Sequence, residues 1–158
     1  MNKSVFTVLF LMLLGIPVSV SANSNYLKMN GTPYITSSGA NPNSKGVRSA
    51  TYYFDLYSSE KLLTKVTITI PKNLKVNGGI DVTNGENREV GASLKFEENK
   101  AVINFAQPIP TNTTLKFYMH SVSIQGVSQH IWIFPLSTTS VGINADIPIE
   151  SVRIQTRQ

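Results

Sequence analysis

The chain has 158 residues, 14 of them basic and 9 acidic, and a formal charge of +5 with no cysteine. That length suits one domain with a substantial core. The missing thiols exclude disulfides, cysteine-ligated metal clusters and thiol catalysis, and the mild basicity, without an arginine-rich stripe of interleaved aromatics, gives no support to nucleic-acid binding.

The chain opens with Lys3, then an apolar run from Val5 to Val20 broken only by Thr7, Gly15, Pro17 and Ser19. Val20-Ser21-Ala22 follows, with small residues where a signal peptidase reads. This three-part pattern predicts a secretory signal over residues 1–22, removed on export to a periplasm or cell surface. The run is shorter than the ~20 apolar residues a spanning helix needs, and no later stretch replaces it. No transmembrane segment is expected after cleavage. Residues 23–47 carry the turn signals Asn30-Gly31, Gly39 and Asn41-Pro42-Asn43. They predict an irregular N-terminal arm, with a short edge contact at Tyr34-Ile35.

Residues 48–158 read as strands. Ala50, Tyr52, Phe54 and Leu56 share one parity, and Thr51, Tyr53, Asp55 and Tyr57 the other. A strand sends alternate side chains to opposite faces, so the first set is expected in the core. From Leu62 to Ile70, the β-branched Val66, Ile68 and Ile70 alternate with Lys65, Thr67 and Thr69, and Pro71 ends the ladder. Turns dominate from Asn73 to Gly91, with Ile80-Asp81-Val82 as a short strand between them. Ser93–Glu97 and Lys100–Phe105 predict a hairpin turning at Glu98-Asn99. Pro108-Ile109-Pro110 is a rigid connection into Thr114–His120, where Leu115, Phe117 and Met119 should point inward. Gln129–Phe134 is apolar on both parities, with Trp132 and Phe134 assigned to the outer one. Short strands within Ile143–Ile149 and at Val152–Ile154 close the chain. No persuasive helical period appears. The fold class expected is all-β, a single antiparallel β-sandwich, with a small distorted barrel as the other architecture.

Catalytic signals are weak. His120 and His130 are the only histidines, fewer than the three or four ligands of a zinc site, so no metal is expected. Asp55, Glu89, Glu97 and Glu98 are acids on strands or turns, but nothing in their spacing fixes two of them across a cleft for glycoside hydrolysis. No Gly-x-Ser-x-Gly turn, Ser-x-x-Lys motif or phosphate-binding loop occurs, so no catalytic residue and no cofactor is assigned. Lys61, Lys65, Lys72 and Lys75 are interrupted by apolar residues and read as solvated strand edges and loops. The better lead is aromatic. Tyr53, Tyr57, Tyr118, Trp132 and Phe134 all fall on the parity assigned away from the core. Rings on neighbouring strands would form a shallow platform for a sugar face or a protein partner. The other reading of the same set is a second packing layer beneath the arm.

Three stretches carry a family resemblance. They are Ala50-Thr51-Tyr52-Tyr53-Phe54-Asp55-Leu56 leading into Leu62–Ile68, then Ala101–Pro110 followed by Thr113-Thr114-Leu115, and then His130-Ile131-Trp132-Ile133-Phe134-Pro135-Leu136 with Gly142 and Val152-Arg153-Ile154. In order and spacing they resemble the exported cyanobacterial family called domain of unknown function 2808. The chain departs from the family's pattern at Tyr57-Ser58-Ser59-Glu60, at His130–Ile133 and at Thr138-Thr139-Ser140. The resemblance implies an exported, envelope-associated β protein and supplies no catalytic residue. The expected function is non-enzymatic binding of an envelope polysaccharide or protein partner. A hydrolase acting on envelope glycans and a structural subunit of a surface assembly are the alternatives.

Overall fold

A computed structural model describes residues 31–44, 49–126 and 131–157. The expected signal segment and His130 lie outside the described residues. Strict alternation builds the first layer. In β2 (Ala50–Tyr57), Ala50, Tyr52, Phe54 and Leu56 are buried and the side chains between them are half-buried. β8 (Thr114–Ile124) pairs antiparallel with β2 and buries Leu115, Phe117 and Met119. Phe54 and Phe117 are cross-strand partners, stacked with centroids 4.7 Å apart and planes 7° apart. β4 (Leu74–Val76) and β5 (Ile80–Asn84) pair with successive stretches of β8, and β1 (Tyr34–Asn41) pairs with β2. The result is a five-stranded sheet running β1-β2-β8, with β4 and β5 both on β8.

The described part of the arm therefore supplies an eight-residue edge strand, longer than the contact expected at Tyr34-Ile35. Its Ser37-Ser38-Gly39 run has little strand propensity of its own. Pairing with β2 supplies what local preference does not.

The second layer runs β11-β10-β3-β7-β6, from β11 (Ile147–Pro148), β10 (Leu136–Ser140), β3 (Leu63–Thr69), β7 (Lys100–Ile109) and β6 (Ala92–Glu97). In β3 the register against β10 shifts between Leu63 and Lys65, which pair with the adjacent Ser140 and Thr139 and leave one extra residue on β3. Such a bulge lets Leu63 and Val66 both enter the core despite their odd spacing, while Leu62 stays exposed. The expected hairpin forms from β6 and β7, with Glu98 at φ 50° in the turn. β7 continues through Pro108 to Ile109, beyond the strand end expected from the sequence. Its pairing with β6 runs only from Lys100 to Phe105, so the absent Pro108 donor breaks no bond there.

A two-stranded ribbon, β9 (Ile131–Phe134) with β12 (Val152–Gln155), completes the packing. β12 adjoins β1, where the Ser38 hydroxyl donates to the Arg153 carbonyl at 2.8 Å. The outward assignment of Trp132 and Phe134 is corrected here. Both are buried, at 1% and 0% exposure, while Ile131 and Ile133 face solvent. A strand apolar on both parities leaves its inner face undecided by pattern alone. The pair with the larger area is the one buried, and Phe134 packs edge-on against Tyr52 with centroids 6.3 Å apart. The architecture is an all-β antiparallel sandwich around a single apolar core. Among the described residues no helix is long and apolar enough to cross a membrane.

One surface cluster ties the loop after β10 to β3. Asp146 accepts from the Lys65 ammonium at 2.7 Å and from the Thr139 hydroxyl at 2.6 Å. These two bonds, Lys65 first, hold its carboxyl below the usual carboxylate range. A lowered folded-state pKa contributes stability above the unfolded value of about 3.9, lost as the pH falls through the folded one. Asp146→Asn is expected to cost under about 1 kcal/mol at neutral pH, because the pair lies at the surface and is partly exposed on both sides. It should also flatten the loss of stability below about pH 4, measured by denaturant unfolding across that range.

Candidate binding face

The outward positions of β2 and β8 meet in register. Tyr53 lies opposite Tyr118, Asp55 opposite Lys116, and Tyr57 opposite Thr114. All three tyrosines are half-buried. Tyr53 also faces Gly39 on β1. A Cβ at position 39 would stand 2.5 Å from the Tyr53 hydroxyl oxygen, so only glycine lets that ring lie over the edge strand. Tyr52, its chain neighbour, is on the opposite side at 2% exposure, and burial pushes its phenol pKa up. One strand thus divides its consecutive tyrosines between core and surface.

The face is grooved. Asn41, Thr51, Tyr53, Asp55, Lys116 and Tyr118 line a shallow depression of about 360 Å³, at the small end of ligand pockets. Lys116 turns away from Asp55 and donates to Asn87 Oδ1 at 3.0 Å. Among the described residues Asp55 forms no ion pair. At one end of the groove His120 is held by Asp81, whose Oδ2 is 2.9 Å from Nε2, and its Nδ1 lies 3.5 Å from the Thr51 hydroxyl. Its ring lies near-parallel to Tyr118, centroids 6.4 Å apart. At the other end, Tyr57 packs against Tyr34 with centroids 5.1 Å apart and donates to Asn112 Oδ1 at 2.8 Å.

Of the five aromatic residues singled out by parity, the structure brings Tyr53 and Tyr118 together and sets Tyr57 on the same face. Trp132 and Phe134 belong to the core and cannot stack on a surface ligand. Gly39 and Asn41 read as turn signals and Tyr34 as an edge contact in the sequence, but nothing there places them or Asp81 on this face, since their roles depend on the register of β1 and β5. The acids considered for hydrolysis are spread over the fold. Asp55 is on the first sheet, Glu97 on β6 bonded to Lys95 at 2.7 Å, Glu98 in the hairpin turn, and Glu89 bridged to Thr83. Among the described residues no three His, Asp or Glu side chains are grouped as a metal site.

Among solved structures, the N-terminal domain of the Streptococcus gordonii adhesin Sgo0707 matches at TM-score 0.55 and 7% identity, over 80% of this chain and 32% of that one. The chain thus spans about a third of the adhesin chain it matches. At that identity the likeness is one of fold. A collagen-binding domain from a Staphylococcus aureus adhesin matches at TM-score 0.46 and 11% identity, over 78% of this chain and 97% of that one. An uncharacterized Nocardia farcinica protein with an immunoglobulin-like fold matches at 0.48 and 14%, over 75% and 81%. No curated protein matches the chain. The model of one family covers residues 28–127, taking in both faces of β2 and β8, and the chain belongs to that family, the proteins of unknown function designated DUF2808.

Proposed function

We propose that this chain is an exported, non-enzymatic binding module of the cell envelope. Its ligand is a surface polymer or a protein partner, and its site is the outer face of β1, β2 and β8. The observation that carries this reading is the Tyr53–Tyr118 pair, set over Gly39 beside an Asp55 carboxylate without an ion pair among the described residues. Aromatic rings held half-exposed on a sheet offer apolar area at low ordering cost, because a rigid ladder fixes their backbone. Delivery to a periplasm or cell surface follows from the export pattern of residues 1–22. The two-layer fold shared with an adhesin domain is compatible with such a rigid face.

The test is co-sedimentation of the mature protein with isolated envelope polymer and with envelope protein fractions. Tyr53→Ala combined with Tyr118→Ala is expected to reduce retention by at least about tenfold, equivalent to about 1.4 kcal/mol. Its unfolding midpoint should stay close to that of the wild type, since both rings lie outside the core. Unchanged retention by the folded double variant would refute the assignment.

A further inference from the structure

We propose that this face takes a neutral, extended glycan lying along β2, bound at two aromatic points. The inference rests on the reading of the face as a binding site and goes further in naming the ligand's chemistry and length.

Three observations carry it. The first is spacing. Tyr53 with Tyr118 forms one aromatic point, and Tyr57 with Tyr34 forms another. Tyr53 and Tyr57 are four residues apart on one extended strand, so the two points are separated by about 13 Å. A ligand of one ring occupies one point; a chain of several rings reaches both. The second is hydrogen-bonding capacity. Among the described residues, the side chains of Asn41, Tyr53, Asp55 and Tyr118 make no hydrogen bond, yet all four line the groove. Donors and acceptors of both kinds surrounding aromatic rings suit a polyhydroxylated ligand, which returns a hydrogen bond to each as it displaces water. An apolar protein hot spot would leave them unpaired.

The third observation is charge. The chain as a whole is +5, but among the described residues the groove holds one carboxylate and one ammonium, Asp55 and Lys116. The adjoining strands add Asp81 and Lys75, again one of each; Lys75 pairs in register with Ser123, outside the buried Leu74. His120 is paired to Asp81. The groove's charges cancel among the described residues, so it offers an anionic polymer no net attraction and suits a neutral one.

Binding of cellohexaose, maltohexaose and chitohexaose, each beside its disaccharide, is measured by calorimetry and by tyrosine ring shifts in NMR, with polygalacturonate as the anionic control. The wild type is expected to bind at least one hexasaccharide about tenfold or more tighter than its disaccharide, because the second point is engaged intramolecularly. Added salt should leave that affinity unchanged. Tyr57→Ala should remove the length advantage and retain the disaccharide affinity. Tyr53→Ala should remove both, and Tyr57→Phe should behave as wild type. Binding of polygalacturonate alone, weakened by salt, would overturn the neutral-glycan proposal. So would an absence of binding by every neutral oligomer; if Tyr53→Ala combined with Tyr118→Ala still lowered retention on envelope fractions, the binding face itself would stand. Neutral-glycan binding unaffected by Tyr53→Ala would overturn the proposal and the face together.

Discussion

Trp132→Ala should lower the unfolding free energy by about 3–5 kcal/mol, the range for removing a buried aromatic ring from a core that cannot collapse around the gap. The midpoint should fall by more than roughly 10 °C. Trp132 is 1% exposed on β9, in register with Ile154 of β12, which is fully buried. Thermal unfolding followed by calorimetry measures the effect directly. Ile133→Ala, one residue along and on the solvent side at 46% exposure, should change stability by less than about 1 kcal/mol. The parity read from the sequence reverses these two outcomes. It places Trp132 on the outside, where its removal would weaken binding and leave melting unchanged. The pair of variants therefore separates the two orientations of β9 without any ligand.

Ile68→Asp should prevent stable folding. Ile68 is fully buried in β3, in register with Ala101 of β7 on one side and Leu136 of β10 on the other. A carboxylate there has no charged partner, and it either stays ionised at great cost or takes up a proton and still wastes a buried polar group. The loss is expected to exceed about 4 kcal/mol, a large share of the 5–15 kcal/mol typical of a whole domain. Circular dichroism and denaturant titration check it. Thr69→Asp, at the next and half-buried position, serves as the control and should remain folded with a modest loss. A folded Ile68→Asp protein with a wild-type midpoint would contradict the placement of β3 at the centre of the second sheet.

Much of this arrangement is legible in the residues, for a specific reason. Where one parity is apolar and the other polar, burial is decided by the pattern, as in β2 and in Thr114–His120 of β8. The Glu98-Asn99 hairpin is equally plain because both flanking runs alternate. Three features escape that logic. β9 is apolar on both parities, so nothing local says which pair of side chains turns inward. β1 is rich in Ser and Gly and becomes a strand only through its ladder to β2. The bulge in β3 against β10 moves Leu63, rather than Leu62, into the core, and bulges depend on the partner strand's register.

The candidate site divides along the same line. Tyr53, Tyr57 and Tyr118 sit on cleanly alternating strands, and their outward direction follows from the sequence. Their convergence does not, because strand order is set by the whole fold. Gly39 is the sharpest case. In the sequence it is a turn signal, whereas in the fold it is the vacancy over which Tyr53 lies, visible only once β1 and β2 are in register. Trp132, the only tryptophan and so the most conspicuous aromatic, contributes to the core instead of the surface.

The most direct measurement of the central claim is residue-resolved mapping of the bound state. Isotope-labelled mature protein is titrated with solubilised envelope polymer and with envelope protein fractions while side-chain and backbone NMR signals are followed. The predicted result is a set of saturating shifts at Gly39, Tyr53, Asp55, Lys116 and Tyr118, with Ile131, Ile133 and the outer face of β3 unmoved. Saturating shifts confined to the second sheet or to the β9–β12 ribbon, with the Tyr53–Tyr118 groove silent, would contradict the account.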